Sequence, residues 1–133
     1  MKILIADKIA QVGIDLLKEN FDVDLKTNMS PDVLLDCIEE YDALIVRSAT
    51  KVTAEVIDRG TNLKVIGRAG IGVDNIDLNA ATSKGIIVVN TPESNNISTA
   101  EHTIALMMAL ARNIPQAHMT LKGGTWIRSE IGR

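Results

Sequence analysis

Three donor-rich clusters punctuate the sequence: Arg47-Ser48, then Arg68-Ala69-Gly70-Ile71-Gly72, then Asn90-Thr91 with Ser94-Asn95 just beyond. The first three of these stretches each follow a short apolar run. Guanidinium, hydroxyl and amide groups all donate hydrogen bonds, and glycines at positions 70 and 72 leave backbone N–H groups open to close approach. Such a set suits a small anion, a carboxylate or a phosphate. Asp7 is the exception, a lone acid after the first apolar run. Turns between strands and helices also collect Gly, Ser and Asn for conformational reasons, so an ordinary structural reading of the same residues stands beside the functional one.

Other chemistry is thinly represented. Gly70-Ile71-Gly72-Val73-Asp74-Asn75 opens as GxG, but Asn75 stands where the dinucleotide fingerprint has its third glycine. The acid expected about 20 residues further on is missing too, because Asn90 occupies that strand end. His102 and His118 both lie away from the donor clusters, with no carboxylate obviously paired to either. No Ser/His/Asp arrangement and no metal-ligand spacing occurs. Cys37 is the sole cysteine, which excludes an intrachain disulfide, and its setting among Val33, Leu34, Ile38 and Tyr41 is that of a packing residue. The residues are equipped to grip an acid and not to transform it.

Elements that would carry these clusters follow from the apolar periodicity. Residues 2–6, 21–25, 43–46, 63–67 and 86–89 read as strands, the second an edge strand with Asp22 and Asp24 alternating, the third central. Between them, Ile9, Val12, Gly13, Leu16 and Leu17 recur at helical spacing, Ser30-Pro31 starts a helix running to about Tyr41, Thr53 opens a short one ending near Gly60, and Asp77 caps another that Gly85 closes. Helical crossovers between strands imply a parallel sheet. The expected fold is therefore α/β, a flavodoxin-like doubly wound five-stranded sheet, followed by a long C-terminal linking helix. That helix is expected from Ser98, where Ser98-Thr99-Ala100-Glu101 spells a capping box, to a break near Asn113 imposed by Pro115. Its stripe of Ile104, Met107, Met108 and Ala111 has no following strand to pack with. Two segments result, 1–97 and 98–133.

Composition narrows the partners. The 133 residues carry 14 Lys and Arg against 17 Asp and Glu, a net charge of −3 that disfavours non-specific nucleic-acid binding. Phe21, Tyr41 and Trp126 are the only aromatics, so bases could not be stacked in a row and the core must be aliphatic. The longest apolar run, residues 104–111, is far short of the roughly 20 residues that span a bilayer. The apolar start, Ile3-Leu4-Ile5-Ala6 before Asp7, is too short for a signal peptide, and a cytoplasmic protein is expected.

Arg47-Ser48-Ala49-Thr50-Lys51-Val52 and the run from Gly67 to Asp77, GRAGIGVDNID, resemble the D-isomer-specific 2-hydroxyacid dehydrogenase family. Asn90-Thr91-Pro92, Ala100-Glu101-His102-Thr103 and the run from Ala111 to Ala117, ARNIPQA, belong to the same pattern, so the resemblance covers essentially the whole chain. It implies an NAD-dependent oxidoreductase, acting on a small phosphorylated 2-hydroxy acid and opening serine biosynthesis by oxidising 3-phospho-D-glycerate to 3-phosphohydroxypyruvate. Carried over by position, it makes Arg47, Ser48 and Asn95 substrate-binding, lets the backbone of Gly70, Ile71 and Gly72 cradle the substrate carboxylate, and sets Ile71 and Thr99 beside the cofactor. Asn96 departs from the Thr common in related sequences. It also implies that NAD is bound mainly by a domain absent from this chain, that the catalytic residues lie there, and that the chain alone is inactive. Homodimerisation through the helix from Ser98 onward is implied as well.

Two other readings stay open. A fragment of a glyoxylate or hydroxypyruvate reductase fits the same motifs, and Arg47 weighs only weakly for a phosphorylated substrate. A stand-alone flavodoxin-like anion-binding module is the other. A phosphoacceptor receiver is disfavoured, since the third strand runs into Arg47 where a receiver needs Asp.

Overall fold

The protein is described by a computed structural model covering residues 1–127, Ser129 and Ile131. Its first unit, Met1–Ser94, alternates strand and helix. The strands are β1 (Lys2–Ile5), β2 (Asp22–Leu25), β3 (Ala43–Val46), β4 (Val65–Arg68) and β5 (Ile87–Asn90). The helices between them are α1 (Gln11–Lys18), α2 (Pro31–Cys37), α3 (Ala54–Arg59) and α4 (Leu78–Ser83). All pairings are parallel and the sheet order is β2-β1-β3-β4-β5. This is the flavodoxin-like order, with β2 on an edge and β3 at the centre.

Local chemistry starts the helices where the residue types direct. Ser30, Thr53 and Asp77 each accept a hydrogen bond from the amide three residues on, those of Val33, Val56 and Ala80. Gly85 ends α4 in the left-handed region at φ 69°, which L side chains resist. The helix over 31–41 tightens midway, α2 giving way to a 3-10 turn over Ile38–Glu40.

Right-handed crossovers decide which face each helix covers. The step from β1 to β2 runs one way along the sheet and the other three run the opposite way, so α1 covers one face and α2, α3 and α4 the other. The main core lies on the three-helix side, where Leu4, Leu44, Val46 and Ile66 pack with Leu34, Ile38, Val56, Ile57 and Ala81. On the α1 side, Ile3, Ile5 and Ala43 bury Ile14, with Ile9 and Leu17 partly covered. The packing face of α1 is thus rotated from the expected one, and Val12 and Leu16 are exposed. Gln11, Asp15 and Lys18 mark the solvent side at i, i+4 and i+7, but the apolar arc opposite them is wider than the strip the sheet covers, so periodicity alone does not single out its buried part. Further along that same sheet face, Ile87 and Val89 on β5 are 61% and 49% exposed, because three of the four crossovers send their helices to the other side.

The second unit begins at Asn95. It holds α5 (Asn96–Ala111) and α6 (Ile114–Lys122), separated by Asn113 at φ 50°, with Pro115 in the first turn of α6. The break near Asn113 is where proline chemistry puts it, but a second helix follows it. The expected capping box does not form. The helix starts before Ser98, whose hydroxyl donates back to the Asn95 carbonyl at 3.1 Å and so serves the first turn from inside. Ile97, Ile104, Leu106, Met107, Met108 and Leu110 are all more than half exposed on α5. No helix among the described residues is long and apolar enough to cross a membrane.

Candidate functional site

Ligands of open parallel sheets bind beyond the carboxyl ends of the strands, and in this sheet order the switch point falls between β1 and β3. Asp7, just past β1, is 6% exposed. Its Oδ2 accepts from the backbone N–H groups of Arg47 at 2.6 Å, Ala49 at 3.2 Å and Thr50 at 3.1 Å. Its Oδ1 accepts the Thr50 hydroxyl at 2.8 Å. Burial pushes the carboxyl up, but the bonds from Arg47, Thr50 and Ala49 together outweigh it and hold Asp7 below the ordinary Asp value. Asp7 is therefore an ionised anchor for the loop after β3.

The end of β4 and the loop after it grip the same segment from the other side. Arg68 Nε donates to the Arg47 carbonyl at 3.0 Å, and Asn75 Nδ2 donates to that carbonyl at 3.1 Å and to the Thr50 carbonyl at 2.7 Å. The Asn75 carbonyl in turn accepts from Val52 N–H at 2.8 Å, beside a one-pair bridge between Val52 and Ile76. A glycine at position 75, as the dinucleotide fingerprint has, could make neither side-chain bond. Asn90 extends the network by donating to the Ile71 carbonyl at 2.6 Å, while Thr91 N–H bonds the Gly70 carbonyl at 3.0 Å. Gly70 is required by Arg68, since a Cβ at that position would run into the guanidinium.

Arg47, Ser48, Gly70, Ile71 and Gly72 thus share one edge of the first unit, on loops that follow adjacent strands. Arg47, Ser48, Ile71 and Gly72 are exposed and Gly70 is half-buried. The Gly70 N–H already bonds the Arg68 carbonyl at 2.8 Å, so the amides of Ile71 and Gly72 are what this segment can offer a ligand. Asn95 and Thr99 belong to the second unit, where both are exposed at the start of α5 and Thr99 N–H bonds the Asn95 carbonyl at 2.9 Å. A groove of about 360 Å³ opens beside the same loop, lined among others by Asp7, Ala49, Thr50, Lys51, Asn28 and Leu34, and the five rim residues do not line it.

Residue types here do not suit a dinucleotide. Asn75 is tied into the loop 47–52, Asn90 replaces the ribose-binding acid, and the turn leads into α4 through Asp77, whose side chain caps it with a negative charge. Among the described residues no three His, Cys, Asp or Glu side chains group to hold a metal. His102 and His118 are exposed on α5 and α6. Reading the strand ends counted Arg68 among the donors for an anion, whereas its Nε bonds the Arg47 carbonyl, and missed Asp7 and Asn75 as organisers. The available signal was an acid and an amide at turn positions where their neighbours are donors and glycines.

Residues 3–126 match the sequence model of the D-isomer specific 2-hydroxyacid dehydrogenase catalytic domain. The D-3-phosphoglycerate dehydrogenase of Synechocystis is 55% identical over 130 residues, 98% of this chain and 24% of that enzyme. A Pyrococcus horikoshii protein of known crystal structure superposes with a TM-score of 0.84 at 33% identity, over 98% of this chain and 39% of its own. The NAD-bound 3-phosphoglycerate dehydrogenase of Entamoeba histolytica does so with a TM-score of 0.71 at 32% identity, over 82% of this chain and 38% of its own. The chain spans about a quarter of the length of the curated relatives it matches.

Proposed function

The chain belongs to the D-isomer specific 2-hydroxyacid dehydrogenase family, and from that premise we propose that it is the substrate-binding portion of an NAD-dependent oxidoreductase that oxidises 3-phospho-D-glycerate to 3-phosphohydroxypyruvate, at the entry to serine biosynthesis in the cytoplasm. One observation carries the reading: the carboxyl edge of β3 and β4 collects the exposed Arg47, Ser48, Ile71 and Gly72 on adjacent loops tied together by Arg68 and Asn75, an arrangement of donors that suits an anionic substrate. Arg47 pairs with the phosphate, and Ser48 hydrogen-bonds the substrate. The amides of Ile71 and Gly72, beside Gly70, hold its carboxylate, which fixes the hydroxyl-bearing carbon for oxidation. NAD is held mainly outside these residues, with Ile71 beside it, and no step of hydride transfer is assigned to this chain. The partner is a second copy, through the helix that carries Ser98.

Splicing residues 1–133 in place of the matching quarter of the Synechocystis dehydrogenase tests the reading. NAD reduction with 3-phospho-D-glycerate is expected from the chimera, and none from the chain alone. Arg47→Ala in the chimera is expected to raise KM for phosphoglycerate more than for an unphosphorylated 2-hydroxy acid. Turnover by the chain alone would contradict the assignment, and equal effects on both substrates would favour a glyoxylate or hydroxypyruvate reductase.

A further inference from the structure

We propose that Asp7 is a positioning residue for the anion rim: without touching the ligand, its carboxylate holds residues 47–50 in the conformation that presents Arg47 and Ser48, and so sets the affinity of the rim. The proposal rests on the reading that Arg47 and Ser48 bind substrate.

The argument is one of backbone geometry. Asp7 accepts the Arg47 N–H, while Arg68 and Asn75 donate to the Arg47 carbonyl. Both polar groups of the Arg47 main chain are thus pinned by side chains from two other loops, which leaves the guanidinium arm as the freedom that remains. Three N–H groups converging on one oxygen wrap the segment around the carboxylate, with Arg47 and Ser48 exposed on its outside. A rim ordered beforehand does not lose that backbone freedom on binding. Fixing even one residue is worth roughly a factor of ten in affinity.

The charge of Asp7 and its geometry can be separated. Asp7→Ala leaves three N–H groups without the acceptor that gathers them, so the loop loses the anchor that fixes its conformation. Asp7→Asn keeps an oxygen for those three donors, and its amide can donate to the Thr50 hydroxyl, which turns to accept. A positioning role therefore predicts weak binding for Asp7→Ala and rescue by Asp7→Asn. A purely electrostatic role predicts the reverse, since removing a negative charge near an anion site tightens binding in both variants.

The test is made on the 133-residue chain by amide NMR. The probe is 3-phospho-D-glycerate at millimolar concentration, with hydrogen exchange measured in its absence. Asp7→Ala is expected to bind roughly tenfold or more weakly than wild type, and Asp7→Asn within about threefold. Amides of Arg47, Ala49 and Thr50 should exchange faster in Asp7→Ala. Thr50→Val, a mild change that removes only the hydroxyl bond, should speed them by a smaller factor, and it serves if Asp7→Ala does not fold. Unchanged exchange at those amides in either folded variant overturns the proposal, as does undiminished affinity in Asp7→Ala. Absence of any wild-type response to the probe overturns the substrate reading and Asp7's effect on affinity with it, while the exchange result still decides whether Asp7 holds the loop.

Discussion

Asn75 reaches across from the loop after β4 to the loop after β3, its Nδ2 bonding the Arg47 carbonyl at 3.1 Å and the Thr50 carbonyl at 2.7 Å. Replacing it by glycine completes the spacing of a dinucleotide fingerprint and removes both bonds. Asn75→Gly is expected to gain no NAD binding by calorimetry and to lose about 1–3 kcal/mol of stability in urea unfolding. The third glycine of that fingerprint serves close packing of helix on strand, whereas in this chain the side-chain amide at the same position ties two loops together. Measurable NAD affinity in the variant would refute this account of why position 75 is not glycine.

Gly70 and Arg68 make a second test. A methyl group at position 70 collides with a flexible guanidinium and not with backbone, so Gly70→Ala should fold. Arg68 must swing away, giving up its bond to the Arg47 carbonyl. The expected stability loss is small, about 1 kcal/mol, with a several-fold loss of 3-phospho-D-glycerate affinity in NMR titration. Arg68→Ala should match it in affinity, and a Gly70→Ala chain that binds as wild type would separate Arg68 from the rim.

Much of this architecture is legible in the sequence because its signals are local. The caps Ser30, Thr53 and Asp77 act within one helical turn, and β-branched runs mark strands wherever they fold. Strand order is not local, and the pattern fixes five strands without their permutation. The same limit hides Asp7, whose partners lie 40, 42 and 43 residues away, and Asn75, which acts 25 and 28 residues back. At Ser98 a local signal misleads, because the hydroxyl that could cap a helix bonds backward once the helix has begun earlier.

Acid sensitivity follows from another long-range contact. The buried Tyr41 hydroxyl donates to Asp24 Oδ2 at 2.7 Å. That bond, with Lys2 and Lys26 nearby and burial opposing, holds the Asp24 carboxyl below the ordinary Asp value. A depressed folded value means stability that is present above the unfolded pKa, about 3.9, and lost as pH falls through the folded one. Asp42, lowered by Lys64 first and by the Lys2 amide, behaves alike. Urea unfolding of wild type and Tyr41→Phe should therefore differ by a constant amount above about pH 5 and converge below about pH 3. A gap that persists in acid would show that the hydroxyl acts by packing and not through Asp24.

The exposed length of α5 gives the last prediction. Sixteen residues rise about 24 Å, and Ile97, Ile104, Leu106, Met107, Met108 and Leu110 along it are all open to solvent. A single chain leaves that apolar surface in water at a cost that association removes. Ile104 and Met108 are four residues apart and share one side of the helix. Sedimentation velocity is expected to show concentration-dependent dimers of the wild-type chain, and monomers of an Ile104→Lys, Met108→Lys double variant that keeps wild-type helicity. Charges on both copies would face each other across a shared seam, whereas on a helix that stays single they would merely be solvated. A wild-type chain that remains monomeric at high concentration would show that α5 does not pair with a second copy.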